Sequence, residues 1–446
     1  MHGLRPDGFT ARRSLDYIAA VAPKRQAPIR RAYDLSLPKT AYILLWYPLP
    51  SETFIFREVE NAKAAGMPFS VYALYGEAAK NLSSRMRQAA SGVTRLGMAA
   101  IGRVLVDMAW WALRRPVETA RILSGVPFRR WSCLEVAGEN VWAMCAGFTL
   151  ARRFLADGIR RIHAGWANGP ATAAWVASRL SGIPFSFSAR AGDIYPQDGA
   201  LAEKMRAAAA IHTNNKANIA YLSDTAPDAA DKIRQIYNSL TLAGKSRSPV
   251  HMEPPYRLLA VGRFCRTKGF DVLIDACAVL SRRGFPYQLT LVGAGMPWPT
   301  AVIRRRIRIH GLRARVFLPG FVSHDRMGEL YAASDIFVMP SVVHPTGDRD
   351  GIPNVIMEAL AHGIPTVATD VCGIPEVVED GVTGRLVRQR DPEALADAVM
   401  ALAADRDRAV AMAEAGRERV ARMFDPEANT RAILDFFAEA TARGAR

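Results

Sequence analysis

Short apolar runs alternate with amphipathic stretches along most of the chain. AYILLWYP, Ala41 to Pro48, reads as a buried strand. The amphipathic TFIFREVENAKAAG reads as a helix capped by Ser51, Glu52 and Thr53 and stopped by Gly66. Phe69 to Tyr75 is the next strand. The rhythm resumes with strands in RRIHAG, PFSFSAR, AAAAIHTNN and KIRQIYN, and with a helix from Pro170 to Leu180. A second set then follows: YRLLAVG, a helix over 269–283, YQLTLVG, a helix over 298–310, RVFLPG, a helix over 324–333, DIFVMPS, a helix over 353–362 and PTVAT. Strands separated by helices imply parallel sheets. The pattern therefore predicts an α/β chain of two doubly wound, Rossmann-like domains, with ligands in the crevice at the carboxyl ends of their strands.

Three stretches break the alternation. Residues 1–38 carry Arg5, Arg12, Arg13, Lys24, Arg25, Arg30 and Arg31 with little apolar periodicity, and are expected to be a disordered basic arm. Residues 81–158 show long helical patterns in which Trp110, Trp111, Trp131 and Trp142 alternate with arginines. This helical insert suits either an interfacial surface or a layer packed on its own sheet, since amphipathicity is common to both. LAGKSRSPVHMEPP marks a linker. The expected domains are 39–248 and 249–446, the second ending in helices from Pro392 onward.

The chain has 446 residues, enough for two domains. Its five cysteines are scattered with no CxxC pair, which indicates neither a zinc site nor a disulfide framework and fits a reducing cytoplasm. No signal-peptide core and no membrane-length apolar run is evident. The formal charge of +16 suits an anionic partner. Nucleic-acid signatures are absent, so an anionic substrate or an anionic membrane surface is the expectation.

The candidate chemistry sits at strand ends. Asp350 closes a polar loop after DIFVMPS, and Glu358 lies in the helix that follows. Gly351 and Ile352 lead into that helix, and the amides of Asn354 and Val355 at its start favour an anion. Two carboxylates beside an anion site suit a nucleotide-sugar, with hydroxyls at both ends and phosphates between. Gly262-Arg-Phe-Cys-Arg-Thr-Lys-Gly269 adds Arg263 and Lys268, a planar fork and a point charge for a diphosphate. Gly293 and Gly295 admit close backbone approach after YQLTLV. In the first half, SARAGDIY places Arg190 and Asp193 toward the same crevice, with His163 at a neighbouring strand end. No covalent hydrolytic triad is discernible, and no Asp-x-Asp loop implies a metal.

With these residues assembled, the chain resembles retaining glycosyltransferase family four, of GT-B fold, over about residues 255–390, and most closely its exopolysaccharide, colanic-acid-type branch. PSETFIFRE and FSARAGDIY extend the likeness into the first half. The resemblance implies that Arg263 and Lys268 hold a diphosphate, Glu358 binds ribose and Asp350 contacts the donor sugar. Ser51, Glu52, Asp193 and His163 would lie on the acceptor side. Asp350 stands where most of the wider family has Glu. Arg190 stands where the branch usually has His; Arg stays protonated, so it cannot act as a base. It is expected to meet a donor phosphate or a carboxylated donor sugar.

The implied activity is metal-independent, retaining hexosyl transfer, with the nucleotide-sugar as a substrate and no cofactor. A UDP-sugar ranks ahead of GDP-mannose as donor. The acceptor would be a glycan or lipid-linked oligosaccharide, met in the cytoplasm at the inner membrane face. The rivals are a GT-B nucleotide-sugar epimerase and a catalytically silent scaffold of a polysaccharide assembly complex.

Overall fold

The computed structural model describes residues 37–76, 82–129, 131, 133–196, 198–240 and 252–444. The expected basic arm, apart from its last two residues, and most of the linker lie outside these. The first sheet is built from β1 (Thr40–Leu44), β2 (Phe69–Ala73), β3 (Val93–Arg95), β4 (Arg161–Ala164), β5 (Phe185–Ala189), β6 (Ala210–Thr213) and β7 (Ile233–Gln235). Their spatial order is β3-β2-β1-β4-β5-β6-β7, parallel throughout. The second sheet contains β8 (Tyr256–Val261), β9 (Tyr287–Val292), β10 (Val316–Gly320), β11 (Ile336–Met339), β12 (Thr366–Thr369) and β13 (Arg385–Val387). Its order is β10-β9-β8-β11-β12-β13, also parallel. In both, the strand order reverses beside the first strand of the domain, which opens a crevice there.

Burial follows the strand pattern. Every residue of β1, β11 and β12 is buried, as expected of strands covered on both faces. The helices Leu134–Ala156 and Gly169–Ser181 pack closely against each other. Gly147 permits that approach: a Cβ there would stand 2.6 Å from Val176 Cβ.

Several expectations change. The region read as a helical insert contains β3, and the second sheet gains β13; strands of three residues are too short to show a period of two. The helix after PSE begins at Thr53 with Glu52 at its N-cap position, but no side chain caps it. The last helix, Pro426–Gly444, crosses back to the first domain although it was expected with the second. Phe437 stacks edge-on against Phe69 at 5.5 Å and His163 at 5.0 Å. Arg443 donates to Asp231 Oδ2 at 2.8 Å, and Arg234 pairs with Glu439. This helix ties the two domains together.

The Trp-rich region resolves in part. Trp111 is buried and donates from Nε1 to Phe148 O at 3.0 Å. Trp142 Nε1 donates to Leu74 O at 3.0 Å. These two tryptophans belong to a layer packed on its own sheet.

Candidate functional site

The loop after β8 and the loop after β11 meet at the carboxyl edge of the second sheet. Gly269 makes the first turn possible: its φ is +62°, and a Cβ would stand 2.0 Å from Pro340 O. Lys268 Nζ then lies 2.7 Å from Asp350 Oδ1, and Ser341 Oγ donates to Asp350 Oδ2 at 2.6 Å. Lysine and aspartate are each only about one-seventh exposed, 13% and 14% in their side chains. The Asn354–Ala361 helix starts directly beyond, with Pro353 at its N-cap position. Glu358 is buried on that helix; Tyr331 OH donates to its Oε2 at 3.0 Å. Arg57, from the first domain, brings a guanidinium nitrogen to 3.7 Å from Oε1. Arg263 is exposed on the rim, where its charge acts on Glu52 and Asp348.

The facing wall comes from the first domain. Arg349 lies over the Tyr195 ring at 4.0 Å, and Gly347 and Gly351 leave room for Tyr195 O and the Asn215 side chain. Glu376 accepts from the amides of Lys216 and Ala217 and from Tyr237 OH, so a second-domain carboxylate serves a first-domain helix start. Glu52 stands between Arg190 and Arg263. Burial, only partly countered by those two cations, pushes its carboxyl up to about 7.

Behind that wall the polar groups serve the fold. Arg190 is buried and donates to Glu58 Oε2 and Asn238 Oδ1, each at 3.0 Å. Its guanidinium also lies over Phe54 and Trp166. This corrects the expectation that Arg190 meets a donor: its hydrogen-bonding edges are taken by Glu58 and Asn238. Asp193 is buried as well, accepting from the amides of Ala167 and Arg190 at 2.6 and 2.8 Å. Burial raises its carboxyl to about 6. His163 bridges Ser186 and Ser188, and burial pushes it down to about 3. Both are interior braces rather than acceptor-side groups. Ser51 is exposed at the mouth beside Glu52.

Gly293 and Gly295 also change meaning. Cβ atoms there would stand 1.9 Å from Gly262 O and 2.1 Å from Phe264 O. Phe264 N donates to Ala294 O at 2.9 Å. These glycines let two loops of the protein lie backbone to backbone, which accounts for them without a ligand.

A family profile described as glycosyl transferases group 1 matches residues 255–405, the stretch that holds Lys268, Asp350 and Glu358. Over residues 255–405, within the second domain, the chain is similar to the group 1 glycosyl transferases. Among curated relatives, a putative colanic acid biosynthesis glycosyltransferase, WcaL, of Salmonella typhimurium is 34% identical over 180 residues, 40% of this chain and 44% of that protein. An amylovoran biosynthesis glycosyltransferase, AmsK, of Erwinia amylovora is 34% identical over 181 residues, 41% of this chain and 44% of the other. The match thus spans less than half the length of these relatives. Solved structures extend the likeness to both domains. Anabaena HepE in complex with UDP and glucose superposes with a TM-score of 0.66 at 18% identity, covering 90% of this chain and 99% of that one. Sucrose-phosphate synthase of Thermosynechococcus elongatus gives 0.65 at 19%, covering 91% and 99%. The architecture is the GT-B fold.

The second domain contains partners that the sequence pattern did not single out. Tyr331 and Ser341 orient the two carboxylates from elements well separated along the chain. Ser341 carries a faint signal, being the last residue of the DIFVMPS run. Glu58 lies within the PSETFIFRE stretch, but nothing local in the sequence joins it to Arg190.

Proposed function

We propose that the protein is a retaining hexosyltransferase that moves a sugar from a nucleotide-sugar to a glycan acceptor in bacterial exopolysaccharide assembly. The observation that carries this reading is that the loop and helix after β11 present two held carboxylates, Asp350 paired with Lys268 and Ser341 and Glu358 with Tyr331, with Arg263 exposed on the loop after β8. The names of the relatives support the same chemistry.

The parts suggest a division of labour. As the bond between sugar and diphosphate breaks, negative charge grows on the leaving group. Arg263 and Lys268 favour that charge because they are fixed before it forms. The amides of Asn354 and Val355 add donors aligned with the helix dipole. Glu358, oriented by Tyr331, accepts hydrogen bonds from ribose hydroxyls. Asp350, held by Lys268 and Ser341, accepts from a hydroxyl of the transferred sugar. Retention follows when the acceptor hydroxyl attacks from the face the diphosphate leaves, with a departing phosphate oxygen taking its proton. This assigns no step to a bound metal. Arg190 takes no part in it beyond bracing Glu58 behind the wall.

Incubation of the purified protein with a panel of UDP- and GDP-sugars, with and without glycan or lipid-linked oligosaccharide acceptors, tests the proposal. Sugar transfer only when an acceptor is present is the expected result. Conversion of a donor sugar to its epimer without acceptor would replace the reading with that of an epimerase. Failure of every nucleotide-sugar to bind would leave a scaffold.

A further inference from the structure

The outer surface of the first domain carries an apolar face that the interior does not use. Helix Ile101–Arg114 buries Val104, Asp107 and Trp111. Its other side presents Ile101, Gly102, Leu105, Val106, Ala109, Ala112 and Leu113 to solvent. Leu105 is 61% exposed, Val106 59% and Leu113 86%. The next helix, Pro116–Gly125, buries Thr119 and Ile122 and continues the face with Val117; Phe128 follows, 81% exposed. Solitary exposed apolar side chains are ordinary, but a helix side without a charge is not.

The charges around this face have one sign. Residues 98–129 contain five arginines (Arg103, Arg114, Arg115, Arg121 and Arg129) and two acids, Asp107 and Glu118. Both acids are engaged. Buried Asp107 accepts from Arg103 at 2.9 Å and Arg152 at 2.8 Å. Glu118 accepts from Arg121 and Arg179, each at 2.8 Å. Half-buried Trp110 flanks the face, with Arg114 and Arg152 over its ring at 4.6 and 4.9 Å. Protruding aliphatic side chains, a flanking Trp and a rim of arginines make up the composition of an interfacial helix. No helix among the described residues is long and apolar enough to cross a membrane, so this face would lie on a bilayer rather than span it.

We propose that the outward side of the Ile101–Arg114 and Pro116–Gly125 helices docks the protein on an anionic phospholipid bilayer. Leu105, Val106, Leu113, Val117 and Phe128 enter the headgroup and acyl boundary while Arg114 and Arg115 meet lipid phosphates. Charge decides for lipid over a second copy of the chain: juxtaposing two such faces would bring arginine rims together with no free acid among these helices to receive them. The proposal deepens the transfer reading by naming the surface on which a lipid-linked acceptor arrives, but it rests on this face and not on the donor site.

The test is co-sedimentation of the full chain with vesicles of mixed phosphatidylglycerol and phosphatidylcholine, and with phosphatidylcholine alone. Wild type should sediment with the anionic vesicles. The double variant Leu105→Glu/Leu113→Glu should bind them about tenfold or more weakly, because two protruding apolar anchors become anions. Arg114→Gln/Arg115→Gln, which leaves the apolar face intact, should lose about 30-fold, on the order of 1 kcal/mol per arginine. UDP binding should be unchanged in both, which separates failure here from failure of the donor site. Equal vesicle binding by wild type and both variants would overturn the proposal. So would a wild-type dimer in solution that Leu113→Glu converts to monomer.

Discussion

The two walls of the cleft use similar side chains for opposite ends. In the second domain, Lys268 and Asp350 pair at the carboxyl edge of the sheet, their side chains 13% and 14% exposed. In the first domain, Arg190 and Glu58 pair behind the surface, their side chains 3% and 11% exposed. On the proposed function the first pair trades partners with a substrate, because both members lie in the strand-end loops. The second cannot, because removing either member strands a charge in the interior. A conspicuous charge at a strand end is therefore a site only where its partners leave an edge free.

The sharpest way to break that contrast is to cut each pair in turn. Arg190→Ala should cost about 3 to 5 kcal/mol of stability, because Glu58 would be left as a buried, uncompensated carboxylate. Denaturant unfolding reads this, and an undiminished midpoint would place Arg190 among the ligand-facing groups after all. Lys268→Ala should leave the unfolding midpoint within about 1 kcal/mol, as expected for a partly screened pair. It should nevertheless lower kcat about 100- to 1,000-fold, the usual consequence of losing one fixed group that stabilises transition-state charge. Steady-state assays of the donor–acceptor pair that reacts would show it.

Acidity offers a gentler comparison. Burial holds His163 near 3 and His212 near 4, well below the ordinary histidine value of 6.5. Below that ordinary value the unfolded chain takes protons that the folded one refuses. Their contribution is therefore present above pH 6.5 and lost as the pH falls toward 4 and then 3. Glu52, raised to about 7 from an ordinary value of 4.5, has the opposite sign. Its contribution is greatest below pH 4.5 and is lost as the pH rises through 7. Glu52→Gln should accordingly raise Tm at pH 8 relative to wild type and leave the acid limb unchanged. A lower Tm at pH 8 would show that the cleft welcomes the charged carboxylate.

Period and punctuation made the two sheets legible, since strands of four to six residues and a helix ended by Gly66 announce themselves. They could not place the Pro426–Gly444 helix, because an amphipathic helix does not say which sheet it covers. Lys268, Asp350 and Glu358 could be singled out because they sit on the segments that link β8 and β11 to the helices that follow them, or on such a helix. Arg190 was misread because its partner lies 132 residues away. Gly293 and Gly295 were misread because close approach to a ligand and close approach to another loop demand the same residue.

The central claim of the proposed function is that the second domain holds a nucleoside diphosphate through Glu358. Calorimetric titration of UDP and GDP into wild type and into Glu358→Ala tests this directly. Losing hydrogen bonds to an ionised acceptor costs about 1.5 to 3 kcal/mol, so the variant should bind the preferred nucleotide about 10- to 100-fold more weakly. Equal affinity in the two proteins, or no binding of either nucleotide to wild type, would contradict the account.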